Sequence, residues 1–220
     1  MKKLPLALIG LFLGISVSTA HAQEYMFTYS KLYSQIKNNN KEGHDDVKVG
    51  VFFVDADTKK ICTIDKAWME KEEHYEEFVI PSSNEIPIPF DMNLKSANPL
   101  VFVQTEESVQ CDYSLVVMTK KPLEGRVNYA QVEQLLPQMQ VMLEDLGGMF
   151  ASWFTPEVQG LTLEFSNNIN GHINVSNGKV IPIENGKAAI TLNDIPQDGY
   201  LTLPQETLRV LPYLPSATQE

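Results

Sequence analysis

Alternating apolar and polar residues mark the C-terminal part of the chain as a set of short β-strands. Five runs carry the pattern, and they are LTLEF, HINV, KVIPI, KAAITL and GYLTL. The pairs Asn177-Gly178 and Asn185-Gly186 separate three of these runs, and Asn-Gly is typical of two-residue hairpin turns with positive φ at both positions. The pattern therefore predicts an antiparallel meander of about five strands over residues 158–212.

The segment before these strands is the most apolar part of the chain after its N-terminus. Apolar residues recur over residues 128–157 at spacings of three and four, with glutamines and acids on the other side. This spacing predicts an amphipathic helix. Met139, Met142 and Met149 share its apolar face, and such flexible side chains could line a groove for a lipid or a hydrophobic peptide. Because the flanking β units each need a covered face, we expect this helix to fill the core instead.

The first half of the mature chain is also rich in β-strand patterns. The runs VKVGVFFV, ICTI, NPLVFVQT and CDYSLVVMT are apolar and β-branched. Cys62 and Cys111 are the two cysteines of the sequence, and no C-x-x-C motif is present. In an oxidising compartment such a pair most simply forms one structural disulfide. Residues 23–127 are therefore predicted to form a β-sandwich-like unit closed by this bridge.

The segment KAWMEKEEHYEEF within this unit fits either a helix or a strand. On a helix, Glu70, His74 and Glu77 would share one face, and zinc or manganese accepts such a set of imidazole and carboxylate ligands. No H-E-x-x-H motif accompanies them, and a charged run is usually a solvated face. Trp68 and Tyr75 could form a sugar-stacking platform, although we expect both rings to be buried against the sandwich.

The first residues and the charge restrict the location and the partners. The stretch MKKLPLALIGLFLGISVSTAHA has the basic start, apolar middle and small-residue end of a signal peptide that is cleaved after Ala22. This predicts a periplasmic protein, with an extracellular location as the alternative. Loss of Lys2 and Lys3 leaves 15 basic residues against 28 acidic ones, a net charge of −13. Nucleic acid and anionic lipid bind basic patches, so neither is expected as a partner.

Two long strings, KEGHDDVKVGVFFVD…KAWMEKEEHYEE and LLPQMQVMLEDLGGMFASWFTPEVQGLTLEF, are similar to a known family. They resemble an uncharacterised family of exported gammaproteobacterial proteins, domain of unknown function 2987. The resemblance covers most of the mature chain. It implies an envelope location, but it offers no activity, cofactor or site residues to carry over to this chain.

These observations predict a mainly β protein with a central amphipathic helix, of the α+β class. The predicted divisions are a signal peptide (1–22), a β-rich unit (23–127), a helical segment (128–157), a β-meander (158–212) and a tail (213–220).

No G-x-S-x-G elbow, P-loop or dinucleotide-binding fingerprint occurs in the sequence. We therefore expect an exported, non-catalytic binding or accessory protein that engages a protein or a glycan and needs no cofactor. One alternative is a metal- or carboxylate-dependent hydrolase of an envelope polymer. Another is a carrier of lipid or hydrophobic peptide that uses the methionine-lined helix.

Overall fold

The structure is a computed structural model that describes residues 23–107, 109–148 and 155–214. The predicted signal peptide and most of the predicted tail lie outside these residues. The described chain is mainly β, with 40% strand and 23% helix, which confirms the mainly β prediction. The strands are β1 (Gln23–Thr28), β2 (Val47–Asp55), β3 (Ile64–Lys71), β4 (His74–Glu77), β5 (Leu100–Thr105), β6 (Cys111–Thr119), β7 (Arg126–Asn128), β8 (Gly160–Glu164), β9 (Gly171–Val175), β10 (Val180–Ile183), β11 (Lys187–Thr191), β12 (Tyr200–Thr202) and β13 (Arg209–Tyr213). The helices are α1 (Tyr29–Ile36), α2 (Met92–Ala97) and α3 (Tyr129–Gly147), and 3₁₀ turns cover Lys37–Asn40, Ser166–Asn168 and Leu192–Asp194.

The strands pair in antiparallel fashion in several sheets. The first sheet has the order β1-β5-β3-β4, and the second consists of β2 and β6. The third sheet has the order β10-β9-β12-β7, and the fourth has the order β11-β8-β13. The predicted division of the chain into units stays a prediction, although β7, which precedes α3, pairs with β12, which follows it.

Two clusters of buried side chains hold these sheets together, and β2 contributes to both. Val51 and Phe53 belong to the first core, which also contains the buried face of α1. Val47 and Val49 belong to the second core, together with α3 and the strands that follow it. These four residues alternate along β2 and share one face, so the two cores lie one after the other along the strand. Gly50 and Phe52 are buried on the other face, and burial on both faces removes the usual alternation of apolar and polar residues.

Helix α3 lies over the second core and begins at a capping box. The Asn128 side chain accepts a hydrogen bond from the Gln131 backbone at 2.8 Å, and the Gln131 side chain accepts one from the Asn128 backbone at 2.9 Å. Met139 and Met142 are fully buried in this core. In the part of the chain that the structure describes, no helix is long and apolar enough to cross a membrane.

The strands after α3 differ from the predicted meander because they divide between two sheets. β9 and β10 form a hairpin in the third sheet, whereas β8 and β11 pair in the fourth. The Asn185-Gly186 turn has positive φ at both residues, as predicted. The prediction of a two-residue turn at Asn177-Gly178 was wrong, because Gly178 has a φ of 88° but Asn177 does not have a positive φ. The Val175 N–H donates to the Lys179 carbonyl at 2.9 Å and closes a three-residue loop. Both sheets bury one face in the same core. The alternation of apolar residues therefore predicts which face of a strand is buried, but it does not predict which strand it pairs with.

The predicted disulfide is confirmed. Cys62 and Cys111 are bonded, and both are buried in the first core. The bridge joins the chain just before β3 to the first residue of β6. It therefore ties the first sheet to the second.

Candidate functional site

The segment predicted to carry a metal is a β-hairpin rather than a helix. Glu70 lies on β3, and His74 and Glu77 lie on β4. In the antiparallel register Glu70 is opposite Tyr75, so Glu70 and Glu77 point to one side of the sheet and His74 to the other. The helical face on which the metal hypothesis depended is therefore not formed. Within the described residues, no three His, Cys, Asp or Glu side chains are grouped to hold a metal ion.

The hairpin forms because its buried positions recur every second residue. Ala67 and Met69 of β3 point into the first core, and a two-residue turn follows, in which Glu72 has a φ of 56°. Lys66, Trp68 and Glu70 alternate with the buried residues and therefore lie on the opposite face.

That opposite face of the first sheet carries a group of solvent-accessible apolar side chains, which we call the aromatic face. Met26 is 62% exposed and Tyr75 is 53% exposed, while Trp68 and Phe102 are half-buried. The aromatic face consists of Met26, Trp68, Tyr75, Leu100 and Phe102. Met26, Phe102 and Trp68 are direct cross-strand neighbours on β1, β5 and β3. The expectation that both predicted rings are buried was therefore wrong for Tyr75.

The rings of the aromatic face pack against one another. Trp68 and Phe102 are stacked, with ring centroids 5.1 Å apart and planes 10° apart. The Tyr75 ring follows on the other side, 6.4 Å from the Trp68 ring. Stacking occupies the flat surface of Trp68 that faces Phe102. Tyr75, on the outermost strand, keeps the most accessible ring.

Charged side chains connect these rings. The Lys66 Nζ lies 5.3 Å from the Trp68 ring centroid and 5.6 Å from the Tyr75 ring centroid, and 3.4 Å from a Glu77 oxygen. Trp68 donates to Glu70 at 3.1 Å, and the Tyr75 hydroxyl donates to Glu77 at 2.9 Å. Hydrogen bonding to Tyr75 and then to Glu77 raises the pKa of Lys66. The face therefore already holds one cation between two rings and a carboxylate.

A cleft lies at the same hairpin, between it and α2. Its volume is about 330 Å³, and its apolar lining comes from Met69 of β3, from Leu94 and Ala97 of α2, and from Pro99. His74 and Glu76 of β4 also line it, and Glu70, Lys71 and Tyr75 border it from the hairpin.

A second cavity of about 480 Å³ lies near β2, and its polar groups are already paired. Lys48 and Glu85 form an ion pair at 2.8 Å, and the Asn39 amide exchanges two hydrogen bonds with the Val49 backbone. These groups have partners within the protein, so the cavity offers a ligand few open contacts.

The methionine-lined helix offers no groove at the described positions. Met139 and Met142 have no exposed surface and pack in the second core, as the core interpretation of this helix expects. Met149 lies outside the described residues.

Sequence reasoning missed three members of the face. It did not select Met26, Leu100 or Phe102, because each lies in a short strand with no motif. A signal was present, since alternation in QEYMFT and LVFVQT places Met26 and Phe102 opposite the buried positions of β1 and β5.

A family model described as "Protein of unknown function (DUF2987)" matches residues 21–165 of the chain. The predicted resemblance to domain of unknown function 2987 is thereby confirmed. The matched span includes every residue of the aromatic face. No curated protein and no solved structure matches the chain.

Proposed function

The chain belongs to the DUF2987 family of proteins of unknown function, and we propose that it is an exported, non-catalytic protein that binds another protein through its aromatic face. The observation that carries the proposal is the exposure of Met26 and Tyr75 in a row with Trp68 and Phe102. Contiguous exposed apolar surface with a polar rim is typical of interaction sites in soluble proteins. Aromatic residues and methionine are also enriched in the centres of protein interfaces.

The ring arrangement favours a protein partner over a glycan. A sugar ring stacks on a flat, open aromatic surface, whereas Trp68 and Phe102 turn flat surfaces towards each other. The exposed Tyr75, the flexible Met26 and the partly exposed Leu100 suit the side chains of another protein. The Glu70 and Glu77 carboxylates already accept hydrogen bonds from Trp68 and Tyr75, which supports a positioning role more than a hydrolytic one.

The export proposal rests on the first 22 residues and on the disulfide. Their basic start, apolar middle and small-residue end are those of a cleaved signal. Disulfides such as the Cys62–Cys111 bridge form and persist in oxidising compartments such as the periplasm.

Site-specific photo-crosslinking tests the proposal in the organism that produces the protein. A photoreactive amino acid placed at Met26 should give an adduct of one defined mass after irradiation of intact cells. Val180 is the matched control, because it is 54% exposed on a strand of the third sheet. Mass spectrometry of the Met26 adduct should identify peptides of the partner.

A second substitution separates a specific site from chance contact. Tyr75→Ala removes an exposed ring on β4, at the opposite edge of the sheet from Met26, and should abolish the Met26 adduct without lowering protein abundance. Equal adducts from Met26 and Val180, or a Met26 adduct that Tyr75→Ala leaves intact, would refute the proposal. An adduct that contains sugar and no peptide would replace the protein partner by a glycan.

A further inference from the structure

We propose that the outer edge of β4 binds an extended, basic segment of the partner protein as an additional antiparallel strand of the first sheet. This inference rests on the proposed function and names the chemistry of the partner. The added strand would place basic side chains on the aromatic face and an apolar side chain in the cleft between the hairpin and α2.

The edge of β4 is open for pairing. β4 ends the strand order of the first sheet, and its four residues are exposed. Phe78 donates its N–H to the Ala67 carbonyl at 2.9 Å. Because these groups alternate in direction along a strand, the N–H and C=O groups of His74 and Glu76 also point towards β3. Those of Tyr75 and Glu77 point outwards. Among the described residues, these outward groups have no hydrogen-bond partner, which is the condition for strand addition.

The charges around this edge select a basic partner. Five glutamates lie on the hairpin, and they are Glu70, Glu72, Glu73, Glu76 and Glu77. The two lysines of the hairpin have partners within the protein: Lys66 pairs with Glu77, and the Lys71 Nζ donates to the Ala97 carbonyl at 2.6 Å. The excess negative charge attracts Lys and Arg and repels a second copy of the same acidic edge.

The inner surface of Tyr75 shows how a partner cation can be held. Lys66 lies against this ring and beside the Glu77 carboxylate. A lysine of an added strand, opposite Tyr75 or Glu77, would meet the outer surface of the same ring and the same carboxylate.

The cleft supplies the second determinant. Side chains alternate along a strand, so the neighbours of a lysine on the aromatic face point to the opposite face, which carries Met69, His74 and Glu76 of the cleft lining. Its lining of Met69, Leu94, Ala97 and Pro99 suits an aliphatic side chain. The preferred ligand is thus a segment that alternates basic and aliphatic residues.

The probe for this proposal is a synthetic KLKLKLK peptide, titrated against the mature protein with its disulfide intact. We expect saturable binding, and a KKKKLLL peptide of equal charge should bind at least about tenfold more weakly because it cannot alternate across the edge. In an antiparallel added strand, the residues facing Tyr75 and Glu77 turn their N–H groups towards β4. N-methylation of the lysine amides should therefore weaken binding about tenfold or more, and N-methylation of the leucine amides should not.

Two protein variants separate pairing from charge. Glu77→Pro removes an outward N–H without breaking the ladder to β3, because proline is tolerated where the N–H faces solvent. Glu77→Gln keeps the N–H and removes the charge. We expect a loss of about tenfold or more for Glu77→Pro and a smaller loss for Glu77→Gln. Glu133→Gln, on the exposed side of α3, is the matched charge control and should change little.

The inference is overturned if KLKLKLK shows no saturable binding up to about 1 mM, or if both methylated peptides bind equally. It is also overturned if Glu77→Pro binds as well as the unchanged protein. Circular dichroism of Glu77→Pro checks that the fold is kept, and N-methylation tests the same pairing without altering the protein. If peptide binding fails while the Met26 adduct persists, the aromatic face remains the site and only the strand-addition mode is wrong.

Discussion

Replacing Arg209 by methionine would remove one of two cations that hold a buried carboxylate in the fourth sheet. Glu164 lies on the central strand β8, with Lys187 on β11 and Arg209 on β13 directly opposite it. One Glu164 oxygen lies 2.7 Å from the Lys187 Nζ, and the other lies 2.6 Å from the Arg209 Nε. The Arg209 guanidinium also donates to the Ser83 carbonyl at 2.8 Å, so the group connects β13 to the loop after β4.

The cost of Arg209→Met follows from the burial of the carboxylate. The Glu164 side chain is 8% exposed and that of Arg209 is 12% exposed, whereas Lys187 is 65% exposed. Breaking a buried ion pair by removing one partner costs about 3–5 kcal/mol, and methionine keeps much of the apolar stem. Because Lys187 remains, we expect a loss near the lower end, about 3 kcal/mol. Lys187→Met removes the exposed cation and should cost less than about 1 kcal/mol.

Urea unfolding at pH 7, followed by circular dichroism, measures both differences. A free energy of unfolding for Arg209→Met within about 1 kcal/mol of the unchanged protein would refute the argument from burial. So would equal losses for Arg209→Met and Lys187→Met.

The same carboxylate gives the prediction a pH dependence. Burial tends to raise the pKa of Glu164, but the combined effect of Lys187 and Arg209 is larger and opposite. The folded-state pKa therefore lies below the usual 4.5. A lowered folded pKa stabilises the fold above the unfolded pKa, and this contribution is lost as the pH falls through the folded value. In Arg209→Met only Lys187 remains to offset the effect of burial, so the folded-state pKa of Glu164 should be higher. The loss of stability on acidification should therefore begin at a higher pH. Urea unfolding between pH 7 and pH 3 measures this shift, and identical acid profiles would contradict it.

Three further predictions concern the two cores. Joint replacement of Cys62 and Cys111 by alanine should lower the free energy of unfolding by about 4 kcal/mol, since the bridge closes a loop with a sequence separation of 49. Urea unfolding measures this loss, and a thiol assay of the unreduced protein should find no free thiol. Met139→Ala should cost about 2–5 kcal/mol by the same measurement, and Val141→Ala on the exposed side of α3 less than about 0.5 kcal/mol. Gly160→Ala should cost about 1–3 kcal/mol in thermal or urea unfolding, because an added Cβ would overlap a backbone carbonyl of β11.

Periodicity and local turn chemistry account for what the sequence could predict of the fold. The Asn185-Gly186 turn, the strand residues around it and the burial of Met139 each follow from a few neighbouring residues. The order of the strands does not. β8 pairs with β11 and with β13, which lies much further along the chain, because the core accepts the inward face of either strand.

The hairpin of β3 and β4 shows why the candidate site was harder to predict. The spacing of Trp68 and Tyr75 fits a helical face as well as a strand, and their neighbours are charged in both cases. A pattern of alternation also fails to say which of two faces is covered. Here Ala67 and Met69 point into the core, so the larger Trp68 is left on the open face beside Phe102. The packing of α1 and the second sheet against Ala67 and Met69 decides which face is covered.

The acidic residues of this hairpin obscure its chemistry in the sequence and define it in the structure. From the sequence alone, the segment from Glu70 to Glu77 fits a solvated helix or a metal site. Folded, the same carboxylates accept hydrogen bonds from Trp68 and Tyr75 and border an edge strand whose outward backbone groups are unpaired among the described residues. An open edge that carried no charge would pair with its own copies. Negative charge along β4 opposes that self-pairing, and in the proposed binding mode the same residues would favour a basic strand over a second acidic copy.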